Sequence, residues 1–232
     1  MLNTVLRAFK ALFKKRPERM LIWCFMLINI LATIGGELAG VLFLFYRLQY
    51  AINTEIFGWM MSAWAGGTFF SQLFIVPALS YKLGLSETVL IIISLTSAIV
   101  DTILETIMNQ IWFLFVSWGV LQMLWSCMFT MALSAMSKLA EPNEVGKFLS
   151  LVSLANTIFS LGAAPAYNTI YRATVDFWPA TAIYVGISVF VIDLGLAIYT
   201  HVASKRHERI GWRAEQQEEK ISRQGSTKST NM

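Results

Sequence analysis

Several ionisable and amide side chains stand inside the most apolar stretches of this sequence. There each costs about 2.5–3.5 kcal/mol to insert into a bilayer and so needs a reason. Glu37 is the clearest case. It lies within Gly35-Gly36-Glu37-Leu38-Ala39-Gly40, and Asn29 and Thr33 precede it at intervals of four, which puts all three on one helical face. Such a stripe predicts either a protonatable group facing a wet central cavity or a neutral carboxyl hydrogen-bonded to a neighbouring helix. Asp101 and Glu105 also share a face. Glu105 falls near the outer end of its segment, where it would reach water. Asp101 falls one turn deeper, where proton or substrate passage and a structural hydrogen bond are equal readings. Trp118, Gln122, Trp125 and Ser126 recur at helical spacing: aromatic faces with one amide either hold a planar organic solute or pack and anchor the helix. Asn156 and Ser160, with Ser153 and Thr157, form a small polar face for pore lining or interhelical hydrogen bonding. Asp193 and His201 are spaced for a relay, although His201 reads more simply as a headgroup-level residue. Gly36, Gly40, Gly67 and Ser71 predict close helix packing.

Other chemistry is excluded by what the sequence does not contain. There is no P-loop, GxSxG, CxxC or HExxH, and the two His are not spaced with carboxylates as metal ligands. The expectation is therefore no enzyme activity, no cofactor and no metal. Cys24 and Cys127 lie within apolar segments and read as buried packing residues rather than a disulfide.

The elements that hold these residues are membrane helices. Of 232 residues 56% are hydrophobic and 14% charged, whereas soluble domains run at about 45–50% and about 25%. Mean hydropathy is +0.58. Apolar stretches at 20–46, 56–80, 87–107, 111–136, 146–170 and 178–202 are each long enough to cross the hydrocarbon core. Backbone groups cannot go unpaired in lipid and the alternation of a barrel strand is absent, so the predicted fold is all-α and polytopic with six transmembrane helices. All of the 18 Lys and Arg except Arg47 and Arg172 fall on one side of a six-span arrangement. The positive-inside rule then predicts that both termini are cytoplasmic. The basicity sits in the tails, which suits anionic lipid and not nucleic acid. Residues 1–19 predict a basic amphipathic cytoplasmic segment, with Leu2, Val5, Leu6, Phe9, Leu12 and Phe13 on its apolar face. Residues 20–202 predict the six-helix domain, and 203–232 a polar cytoplasmic tail, partly disordered.

Three longer patterns carry a resemblance. The run from Met136 to Phe148, with Glu144, Gly146 and Lys147 at its centre, resembles a cytoplasmic helix-to-helix turn of major facilitator carriers, and more narrowly of the proton-coupled folate transporter family. Asn168 to Pro179 resembles that family's link into its last helix, and Gly36-Glu37 followed by Leu44-Phe45-Tyr46-Arg47 resembles its seventh helix. In the turn, Pro142 suits a helix start and Glu144 the helix dipole, while Gly146 would allow close approach. The resemblance implies the C-terminal six-helix half of a twelve-helix fold, built as two halves about an axis along the membrane normal. One departure bears on substrate: Leu133 stands where the family often carries an Arg, which leaves no intramembrane cation for an anionic solute.

The resulting expectation is a proton-coupled or facilitative carrier of a small organic solute, working by alternating access, with Glu37 as the protonation site. Its partners would be the solute, protons, the lipid bilayer and a second six-helix half, supplied by a longer chain or a dimer. The alternative is a truncated six-helix protein that associates with and modulates a full carrier. Plasma and lysosomal membranes both fit.

Overall fold

The computed structural model describes residues 19–107, 110–142 and 144–229, with side chains as far as His207. The amphipathic segment expected before residue 19 lies outside the described residues. Six helical rods follow one another in the chain. The first consists of α1 (Arg19–Gly36) and α2 (Ala39–Tyr50), separated by a break at Glu37 and Leu38. The second is α3 (Thr54–Phe70), capped by Asn53, whose side chain accepts from the Ile56 N–H at 2.8 Å. It is prolonged by π-helical turns at Ser71–Ile75 and Ala78–Lys82. The third is α4 (Glu87–Ile107). The fourth is α5 (Ile111–Val116), a π turn at Ser117–Leu121, and α6 (Gln122–Leu139). The fifth and sixth are α7 (Val145–Thr174) and α8 (Thr181–Ser229).

Five of these rods are continuous enough, and apolar enough, to cross a membrane by length and composition. The α-helical part of the second is 17 residues, and its π turns supply the remaining length. The exterior agrees with a lipid solvent: Phe69, Trp112 and Leu161 are 70%, 82% and 73% exposed. Contiguous apolar surface of this kind is rare on soluble proteins. The last helix departs from expectation. Instead of giving way to a disordered tail it runs on to Ser229, because residues 213–220 are all strong helix formers.

Packing divides the interior in two. Near the end holding Arg19, α1 lies against α8, α7 and α6, and α4 lies against α6 and α8, enclosing Phe25, Ile28, Leu95, Met128 and Met136. Tyr199 at that end donates to Met20 Sδ at 3.8 Å and Phe190 meets Gly35 at the other, so α1 and α8 run antiparallel. A second cluster gathers Leu42, Tyr46, Met60, Leu114, Tyr167 and Ile183 around α2 at the opposite end. The break in the first rod falls between the two clusters.

Close approach is made by Gly35 and Gly67. A Cβ on Gly67 would lie 2.6 Å from the Gly119 carbonyl oxygen, which is how α3 docks on the π turn. Gly40 does not pack: a Cβ there would meet open space, and Gly146 is equally open at the start of α7. At that start Glu144 is buried in the cap position, ahead of the partly exposed Lys147.

Candidate functional site

The predicted stripe on the first rod does not act as a unit. Asn29 is fully buried and its amide donates to the Phe25 carbonyl at 3.4 Å, while the Thr33 hydroxyl donates to the Asn29 carbonyl at 2.8 Å. Both side chains turn back on their own helix. The helix then loosens. Glu37 N–H still reaches the Thr33 carbonyl at 3.2 Å, but Leu38 N–H bonds Gly35 at 3.2 Å, a tighter turn, before α2 restarts at Ala39. At the break the Glu37 carboxylate accepts a hydrogen bond from Ser160 of α7, 123 positions away. The structure thus joins two residues that the sequence singles out separately.

Beside the break is a cavity of about 140 Å³. Gly36, Leu38 and Ala39 form one side, Trp64 of α3 another, Ala98 and Thr102 of α4 a third, and Trp118, Gln122 and Trp125 the floor. Four of the residues expected to pack or bind, Gly36, Trp118, Gln122 and Trp125, therefore line it together. Glu37 and Asp101 do not; they flank it from the break and from α4. Trp125 is held by edge-on contacts to Phe129 and Phe190, with ring centroids 5.5 and 5.0 Å apart. Its indole edge lies 3.9 Å from where a Gly36 Cβ would be. The volume is smaller than the roughly 300–1,000 Å³ of a complete small-ligand pocket. The lining is aromatic with one amide, and it includes no Lys, Arg or His among the described residues.

Behind the cavity lies a polar cluster that sequence reasoning only half found. The Ser117 hydroxyl contacts Asp101 Oδ1 and, at 3.1 Å, Glu105 Oε1. All three residues are fully buried. Glu105 was expected to reach water and does not, because α2 continues to Tyr50 and covers it. Tyr50 Oη donates to the Glu105 carbonyl at 3.3 Å, and Trp118 Nε1 donates to Tyr46 Oη at 3.2 Å beside it. No periodicity on α4 could have revealed Ser117, which comes from another rod and is turned inward by the π turn.

Other polar residues lie away from the cavity lining. Gln72, which no motif singled out, donates to the Ser126 carbonyl at 3.0 Å and accepts from Thr130 at 3.1 Å, fastening the π region of the second rod to α6. Ser71 and Cys127 pair at 3.1 Å alongside. Asn156 is half-buried on α7 and its Oδ1 has no partner. His201 bonds Thr88 at 2.7 Å rather than Asp193, whose two oxygens are buried without partners, so the relay geometry is not formed.

Six apolar rods with a lipid-compatible exterior, a helix broken in the interior and a recess at that break define an integral multi-pass membrane protein. The chain belongs to the Major Facilitator Superfamily, whose family model matches residues 25–226, and it is a membrane transporter. No curated protein matches it.

Proposed function

We propose that residues 20–202 form one half of an alternating-access carrier for a small, planar organic solute without net negative charge. The observation that carries this reading is the cavity at the interrupted first rod, with its aromatic floor and single amide at Gln122. Discontinuous helices near the midplane are where carriers of this kind bind their cargo. Trp118 and Trp125 would stack on a planar solute, Gln122 would read its polar edge, and a second six-helix half would supply the opposite wall. The absence of a cation among the described lining residues, with Leu133 where the folate family often has Arg, speaks against a dicarboxylate.

Resemblance to the proton-coupled folate transporters supports proton coupling, with Glu37 as the protonation site. As a carboxylate it accepts from Ser160 and ties the break to α7. Protonation removes that anionic acceptor and frees the two elements to shift as the halves rock. Both termini would face the cytoplasm, in the plasma or lysosomal membrane.

The test is uptake of uncharged heteroaromatic solutes into proteoliposomes holding the chain, alone and with a second half. Trp125→Phe should lower uptake about two- to thirteenfold, the range that about 0.5–1.5 kcal/mol of aromatic contact supplies. Glu37→Gln should remove its pH dependence. Unchanged pH-dependent uptake by Glu37→Gln excludes Glu37 from the mechanism. Association with a full carrier without any flux would favour the modulator reading instead.

A further inference from the structure

The geometry of the buried cluster behind the cavity points to a proton-binding site separate from Glu37. We propose that Asp101, Glu105 and Ser117 together hold one exchangeable proton that is reached from the cavity beside Gln122.

The count of hydrogens carries the argument. Ser117 has one hydroxyl proton and contacts both carboxyls. A serine donates once, so it satisfies one carboxylate only; its other contact is a hydrogen bond only when the second carboxyl is protonated and donates to the Ser117 lone pair. The remaining oxygens, Asp101 Oδ2 and Glu105 Oε2, are buried with no hydrogen-bond partner. Among the described residues no cation faces the pair. Asp101 interacts with Ser117 and Gln122, and Glu105 with Asp101, Ser117, Tyr46 and Trp118, while the Tyr50 ring closes the outer side. Two like charges at this spacing in a dry interior cannot both persist. The shared state is therefore one carboxyl, one carboxylate and the serine between them. Discharge requires that the proton pass to water entering from the cavity beside Gln122, which interacts with Asp101 and also lines that cavity. The local backbone fits a switch: Ser117 begins the π turn, a distortion that recurs at functional sites, and Gly67 of α3 is seated against that turn at Gly119.

This inference uses the carrier reading only to say what the proton is for; the occupancy itself is independent of transport. It is tested by infrared difference spectroscopy on the full chain in lipid bilayers at neutral pH. A protonated-carboxyl band is expected that Asp101→Asn or Glu105→Gln removes or shifts, since the lone remaining acid then ionises or, still protonated, loses the carboxylate beside it. Ser117→Ala should shift the same band. Gln122→Leu should leave the band in place but slow its hydrogen–deuterium exchange, because it replaces the polar group between the pair and the cavity with an apolar one. Difference spectra in which neither acid substitution alters a protonated-carboxyl band, in variants whose circular dichroism matches the parent, overturn the proposal. Exchange at the parent rate in Gln122→Leu overturns the route. A confirmed band with solute uptake that ignores pH would leave the proton site standing and count against coupling.

Discussion

Replacing Gly35 with alanine is the sharpest test of how the broken rod is packed. A Cβ at that position lies 2.8 Å from Phe190 Cδ1 and Cζ and closer still to Cε1, all within the ring of a buried side chain. The ring cannot simply turn aside, because its other side rests edge-on against Trp125 with centroids 5.0 Å apart. Relief therefore means moving α8 away from α1 or driving the ring into the cavity of about 140 Å³. Overpacking of this kind costs about 1–3 kcal/mol. In a chain of this size about 2–4 °C accompanies each kcal/mol, so the unfolding midpoint in detergent should fall by about 2–12 °C. Gly40→Ala is the internal control. The same added carbon there meets open space, and replacing glycine in a helix should be neutral or stabilise by about 0.4–1 kcal/mol. Phe190→Leu should absorb most of the Gly35→Ala cost, giving a double-mutant coupling of about 1 kcal/mol or more. Equal midpoints for Gly35→Ala and Gly40→Ala, or additive effects with Phe190→Leu, would refute the contact as the reason glycine stands there.

Three further outcomes follow from individual contacts. Glu37→Gln and Ser160→Ala should be non-additive in uptake assays, because each removes the same charge-assisted contact, one by neutralising its acceptor and the other by deleting its donor; additive losses would mean that the two residues act apart. Gln72→Leu should lower stability by about 1–2 kcal/mol in thermal unfolding, since it removes the bonds to Ser126 and Thr130; a change within about 0.5 kcal/mol would show that the π region is held by packing alone. The Lys138–Glu87 pair joins α6 to the start of α4, but Lys138 is 68% exposed. Lys138→Ala should therefore cost no more than about 1 kcal/mol and less at high salt, and a larger, salt-insensitive loss would contradict a solvent-screened pair.

The rods were legible in the sequence for physical reasons that the site did not share. Lipid as solvent demands long apolar helices, so the third span at 87–107 matches α4 residue for residue, whereas the first span reads as one run at 20–46 and the structure breaks it at Glu37 and Leu38. The expected end of that rod at residue 46 was short by one turn, since Arg47, Gln49 and Tyr50 lowered the local hydropathy while the helix continued. That single turn inverted the reading of Glu105: without Tyr50 above it the residue is at a wet end, and with it the carboxyl is sealed inside. Periodicity also assigns faces on the assumption of 3.6 residues per turn, and the π turn at Ser117–Leu121 breaks the assumption where the fourth rod meets the acids. The extra residue rotates Ser117 toward α4 while Gln122 and Trp125 keep the cavity face, so one rod serves two neighbouring polar centres. The pairing of Glu37 with Ser160 escaped for a different reason, because contact across 123 positions depends on which rods become neighbours, and apolar stripes of equal strength leave that choice open. What decides it here is shape: Gly35 admits the Phe190 ring and Gly67 admits the π turn, and those two close seats fix α8 and the fourth rod around the first, leaving α7 to face the break.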